Sequence, residues 1–195
     1  TCVFISGKGT NLKNLIIKSR DYNFPINIKL IVCNNKKAEG IKLAKINSIP
    51  LLLINTNQRN YENLIIKFLK KYKISFICLA GYMKIISKNF LIKFRRDIVN
   101  IHPSLLPKFK GLNTFKRILE NNEKKTGCTV HFVNEKLDSG KIIVRKSFSI
   151  SKNDNELQIK NKTQKLEYVA FPEAIIKIFP KALSNPNDIA LASPS

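Results

Sequence analysis

The sequence predicts an α/β domain in which a largely parallel sheet is flanked by helices. Three observations predict it. Short apolar runs alternate along the chain with segments of helical spacing. One of those runs, residues 74–80, is apolar almost throughout, as a strand covered on both faces should be. A first run, residues 2–6, is followed at once by a glycine loop and a helical pattern, the usual opening of such a fold.

Taken in order, residues 2–6 read as the first strand, Gly7-Lys8-Gly9 as a tight loop, and residues 10–19 as a helix. Residues 26–33 form the second strand and 38–47 a helix, with a third strand at 50–54. Residues 58–72 place Leu64, Ile65, Phe68, Leu69 and Tyr72 at helical spacing. After the strand at 74–80, Gly81 ends the run, a short helix covers 88–93, and residues 97–102 form a further strand. Two prolines mark 103–111 as an ordered loop. A helix follows at 113–121, then two strands at 126–134 and 140–149 joined by residues 135–139. Residues 153–179 read as one long helix that Asn153 or Asp154 would cap. The expected organisation is one domain over residues 1–183, with a flexible tail at 184–195 rich in Ser, Pro and Asn. Because the sequence opens inside a strand, a few residues are expected ahead of Thr1.

A chain of 195 residues is long enough to bury roughly 70% of its unfolded surface, so neither disulfides nor a structural metal are needed. The four cysteines, Cys2, Cys33, Cys78 and Cys128, lie far apart among apolar residues and are expected to be buried thiols in a reducing cytoplasm. No apolar run approaches the ~18 residues of a membrane span, and no secretory leader is evident. The net charge of +22 invites a nucleic-acid partner, but lysine is spread over the whole length and no binding motif accompanies it. Lys, Ile and Asn are all abundant, Trp is absent and Gly is scarce, so AT-rich coding accounts for much of the excess. Steering of anionic ligands is the functional alternative.

Three places carry chemistry. Ser6 to Asn11 forms a strand–glycine loop–helix junction, which offers free N–H groups and a helix dipole to a phosphate. The bland reading of such a loop is a tight turn. Asn100 and His102 stand two apart on one strand and therefore share a face, and Pro103 keeps His102 extended. An amide beside an imidazole at a strand end can bind an oxyanion and move a proton. Asp138, in Leu137-Asp138-Ser139-Gly140, is a turn former by itself, but a carboxylate near an imidazole would hold its tautomer. His131 alternates with Thr129 and Val133 and is expected to play a supporting part.

Together these stretches resemble the glycinamide ribonucleotide (phosphoribosylglycinamide) formyltransferases. The matching segments are SGKGTNL at 6–12, LAGYMKIIS at 79–87, NIHPSLLPKFKG at 100–111, TGCTVHFVNEKLDSGKII at 126–143 and KTQKLEYVAFP at 162–172. The resemblance implies a single-domain, Rossmann-like formyltransferase fold in which Asn100, His102 and Asp138 are catalytic. It implies 10-formyltetrahydrofolate as formyl donor and glycinamide ribonucleotide as acceptor in purine synthesis, with no metal. By the same resemblance Gly9, Thr10 and Asn11 cradle the phosphate, Gln164 and Glu167 meet the phosphoribosyl part, and Met83 and Pro103 line the glycinamide end. Lys84, Ile85 and Ile86 would line the folate pocket, and Val133, Asn134 and Asp138 would read the pterin ring. A cis Leu106–Pro107 bond is also implied.

Lys84 stands where an Arg is usual, keeping the charge without the planar fork. Asn113-Thr114-Phe115 replaces a stretch that commonly carries histidine, and the match fades after Phe179. The expected partners are small molecules, with neither membrane nor nucleic acid, in a cytoplasmic monomer or homodimer. The alternatives are a methionyl-tRNA formyltransferase-like enzyme, which normally adds a C-terminal domain for which little sequence remains after residue 180, and a basic nucleic-acid-binding protein.

Overall fold

The first strand, β1 (Cys2–Ile5), is buried along its whole length, as its unbroken apolar sequence requires. It lies in the middle of a seven-stranded sheet in a computed structural model that describes residues 1–180. The tail at 184–195, and the last residues of the expected domain, fall outside the described residues.

Residue by residue the chain builds α1 (Thr10–Lys18), β2 (Leu30–Cys33), α2 (Ile41–Ile46), β3 (Leu51–Leu53), α3 (Tyr61–Lys71), β4 (Ile77–Leu79) and α4 (Lys88–Phe94). It continues with β5 (Ile98–His102), α5 (Thr114–Glu120), β6 (Lys125–Phe132), β7 (Ile142–Ser149) and α6 (Glu156–Ile178). The strand order is β3-β2-β1-β4-β5-β6-β7. Pairing is parallel from β3 to β5, and β6 and β7 add antiparallel. The order reverses between β1 and β4, so the loops leaving these two strands diverge and open a crevice at the C-terminal edge.

Alternation along the strands divides the core in two. Val3 and Ile5 face α1 and α6, packing with Leu12, Leu15, Phe171 and Ile175. Cys2 and Phe4 face the opposite layer, with Ile65, Leu69 and Phe90 from α3 and α4. The four cysteines are buried free thiols, and burial pushes each of them up from its ordinary pKa. Among the described residues no helix is long and apolar enough to cross a membrane.

The observed elements are shorter than the apolar runs suggest. β2 starts at Leu30 and not at Ile26 because its neighbours begin only at Cys2 and Leu51. Ile26 and Ile28 still bury their side chains, without a ladder. β4 likewise spans only the residues that find partners on β1 and β5. α2 and α3 begin three residues later than helical spacing indicates, after turns. α6 is capped by neither Asn153 nor Asp154. Asn155 caps it in a reciprocal box with Gln158. Asp154 is engaged elsewhere: it accepts from Lys162 Nζ at 2.6 and 2.7 Å and from the Ser151 N–H.

Two close backbone approaches shape the site. Gly9 has φ +74°, and a Cβ there would stand 2.8 Å from Gly40 Cα. The Gly40 N–H donates to the Gly7 carbonyl at 3.1 Å, which fastens the loop to the start of α2. At Gly140 a Cβ would fall 1.7 Å from the Phe132 carbonyl oxygen. Gly140→Ala is therefore expected to destabilise the fold by about 2–4 kcal/mol, because two backbones must separate. Thermal unfolding checks this, and a midpoint equal to that of the parent protein would contradict it.

Candidate active site

β5 carries Asn100 and His102 to the C-terminal edge of the sheet, where Pro103 ends the strand. The antiparallel register with β6 places His131 directly opposite Asn100. The β6–β7 connection then brings Asp138 back over both. His102 Nδ1 lies 3.3 Å from Asp138 Oδ2, with both side chains about 6% exposed. Asn100 Nδ2 is 3.3 Å from His131 Nε2 and 3.4 Å from Asp138 Oδ1. The three residues singled out on chemical grounds thus form one cluster, with His131 as a fourth member.

Hydrogen-bond partners assign the protons. His131 Nδ1 is 2.8 Å from the Phe132 carbonyl, which only accepts, so Nδ1 carries the proton and Nε2 can accept from Asn100. The two acceptors of the Asn100 amide stand only 3.6 Å apart and can share a single N–H. The second N–H is left to the cleft that Asn100 lines. His102 has acceptors at both nitrogens: the Phe109 carbonyl at 2.8 Å from Nε2, and the Asp138 carboxylate at Nδ1. Only the imidazolium satisfies both at once.

Burial opposes that charge and pulls the His102 imidazole below its ordinary pKa, while Asp138 and the Phe109 carbonyl pull the other way. For Asp138, burial alone would raise the carboxyl. The contact with His131, the Gly111 N–H and the charge of His102 outweigh it, and the group is held below the usual carboxylate range. The Gly111 N–H donates to Asp138 Oδ2 at 2.8 Å. The Leu106–Pro107 peptide is cis.

The cluster lies in a cleft of about 1030 Å³. One end is polar. Gly9, Thr10 and Asn11 open α1, whose first turn has no side-chain cap and no acidic residue. α6 is tied across it: Gln164 Nε2 donates to Thr10 Oγ1 at 2.8 Å, and Asn11 Nδ2 donates to Glu167 Oε2 at 2.8 Å. Burial pushes the Glu167 carboxyl up, and the Asn11 bond offsets part of that. The other end is apolar, with Met83, Ile85, Ile86 and Val133 beside Lys84 and Asn134. Pro103 also lines the cleft. The Met83 N–H donates to Ser6 Oγ at 2.8 Å, linking the loop after β4 to the loop after β1.

Every residue expected at the site lines this one cleft. The structure adds Lys160 and Leu112 to its walls. Lys160 was findable: it precedes Gln164 by one helical turn and so shares its face. The backbone groups of Phe109 and Gly111 had no signal in side-chain chemistry. Among the described residues no group of three or more His, Cys, Asp or Glu is arranged to hold a metal ion.

Fold and cluster define an α/β protein with a side-chain amide and a paired imidazole–carboxylate at the open edge of its sheet. The sequence model of the formyl transferase family matches residues 1–175. The chain belongs to the formyl transferase family. It is 37% identical over 181 residues to the phosphoribosylglycinamide formyltransferase of Haemophilus influenzae, covering 91% of this chain and 85% of that protein. It is 38% identical over 198 residues to the trifunctional purine biosynthetic protein adenosine-3 of Drosophila melanogaster, of which it spans only 14%. The crystal structure of phosphoribosylglycinamide formyltransferase from Bacillus halodurans superposes with a TM-score of 0.89 at 32% identity, over 93% of this chain and 95% of that one.

Proposed function

We propose that this chain moves a formyl group from 10-formyltetrahydrofolate to the amine of glycinamide ribonucleotide. One observation carries the reading: the Asn100–His102–Asp138 cluster stands in a single cleft between an end suited to a sugar phosphate and an apolar end suited to a pterin.

The acceptor's phosphate would rest on the N–H groups of Gly9, Thr10 and Asn11, with Gln164 and Glu167 against the ribose. Met83 and Pro103 would flank the glycinamide. The donor's ring system would lie between Ile85, Ile86 and Val133, its polar edge read by the backbone around Asn134 and Asp138, with Lys84 at the mouth. The amine attacks the formyl carbon in its neutral form. As negative charge develops on the formyl oxygen, the free Asn100 N–H donates to it, and the positive charge of the His102 imidazolium, whose two N–H groups are held by Asp138 and the Phe109 carbonyl, stabilises it from beside. Asp138 orients His102 and offsets part of the burial that disfavours its charge. Collapse of the tetrahedral intermediate breaks the bond from the formyl carbon to the donor nitrogen, and the proton that the attacking amine gives up is balanced by the one that nitrogen takes, so no net proton is consumed.

The deciding assay offers a 10-formyl folate with either glycinamide ribonucleotide or charged initiator tRNA. Formylation of the ribonucleotide is the expected result, and formylation of the tRNA alone would refute the reading. Glu167→Ala is expected to raise KM for the ribonucleotide about tenfold with kcat nearly constant, the loss of one charge-assisted hydrogen bond. A steady-state series in ribonucleotide concentration measures it.

A further inference from the structure

The turn at residues 109–111 touches both halves of the imidazole–carboxylate pair. Phe109 supplies the carbonyl that His102 Nε2 donates to, at 2.8 Å. Two residues on, the Gly111 N–H donates to Asp138 Oδ2, at 2.8 Å. Between them, Lys110 Nζ reaches Ser139 Oγ, beside Asp138. A small movement of this turn would loosen His102 and Asp138 together.

The turn is not at rest by its own preference. Phe109 has φ +56°, a left-handed conformation that a bulky side chain adopts rarely. Something must hold it, and α5 supplies the grip. Thr114 Oγ1 donates to the Gly111 carbonyl at 3.2 Å. Arg117, three residues along and on the same face, donates from Nη1 to the Lys110 carbonyl at 2.7 Å. Its guanidinium also lies over the Phe109 ring, 5.5 Å from the centroid. A flat cation with several donors can bond a carbonyl and cover a ring at once, and an ammonium cannot do both in one placement. Arg117 does not line the cleft.

We propose that Arg117 is a positioning residue for formyl transfer: by clamping residues 109–111 from α5, it sets the mutual geometry of His102 and Asp138. This rests on the transfer reading above, and the test separates the two.

Arg117→Lys is made in the full chain, and two quantities are read. In formyl transfer, kcat is expected to fall about tenfold or more while KM for both substrates stays within about threefold, since reacting groups are misplaced and binding groups are not. The imidazole of His102 is then titrated by NMR without substrate. The groups facing it are Asp138 and His131 from the β6 side, and Arg117 and the Phe109 carbonyl from the α5 side. Lysine keeps the α5 charge, so a loosened turn removes chiefly the Phe109 acceptor. The midpoint is expected to drop by about half a unit. Phe109→Leu, which removes the ring and leaves the charge, should move both readings the same way. An unchanged kcat or an unmoved midpoint in Arg117→Lys overturns the proposal. If the parent protein itself transfers no formyl group, the functional reading falls, and the His102 titration alone decides whether Arg117 holds the turn.

Discussion

Replacing His102 with Ala is expected to lower kcat for formyl transfer by about 10³-fold with little change in the fold. The side chain is buried and bonded to Asp138 and the Phe109 carbonyl, so some loss of stability accompanies the loss of turnover and is measured separately. On the proposed function, what disappears is the positive charge beside the developing oxyanion. Asn100 remains and accounts for residual activity. KM for the ribonucleotide should change by less than about threefold, because the polar end of the cleft is untouched. Single-turnover kinetics, with circular dichroism as a check on folding, measure this. Turnover near that of the parent would remove His102 from the chemistry.

Asp138→Asn is expected to cost about 10²–10³-fold in kcat and to leave a signature in pH. The sign follows from the coupling. Asp138 raises the proton affinity of His102 against the larger opposing effect of burial. An amide removes that support, so His102 loses its proton at lower pH. The limb of the rate profile that reports the imidazolium should therefore move toward acid. The same substitution alters stability. The Asp138 carboxyl is held below its usual range in the folded protein. Its contribution is present above the unfolded carboxylate pKa and is lost as pH falls through the lower folded value. The Asn variant should lack that acid-side loss. An unshifted limb in the variant would argue that carboxylate and imidazole do not act as a pair.

Much of this site was legible in one dimension. Asn100 and His102 share a face because strands repeat every two residues, and Pro103 marks where the strand must stop. The glycine loop before α1 announces free N–H groups for a similar reason. Asp138 was legible only as a chemical possibility. Its approach depends on β6 pairing antiparallel with β5, and nothing local in Leu137-Asp138-Ser139-Gly140 encodes that register. His131 was placed on the right face, but its partner Asn100 lies across the ladder. The turn at 109–111 was hidden more deeply, because its contributions are a carbonyl and an N–H that every residue possesses. Asn153, Asp154 and Asn155 are all competent caps for α6 by type; Asp154 is taken by its salt bridge with Lys162, and the reciprocal box with Gln158 selects Asn155.

Gly140 links the two halves of this picture. The Phe132 oxygen that a side chain at 140 would strike is the same oxygen that fixes the His131 proton.

The abutment of Gly9 on Gly40 has its own consequence. With no room for even a methyl group between them, the rim of the polar end is packed directly on the start of α2. On the proposed function, a phosphate arriving there would meet amides held by that packing and spend little affinity on arranging them. Stiffness at this rim was settled when the chain folded.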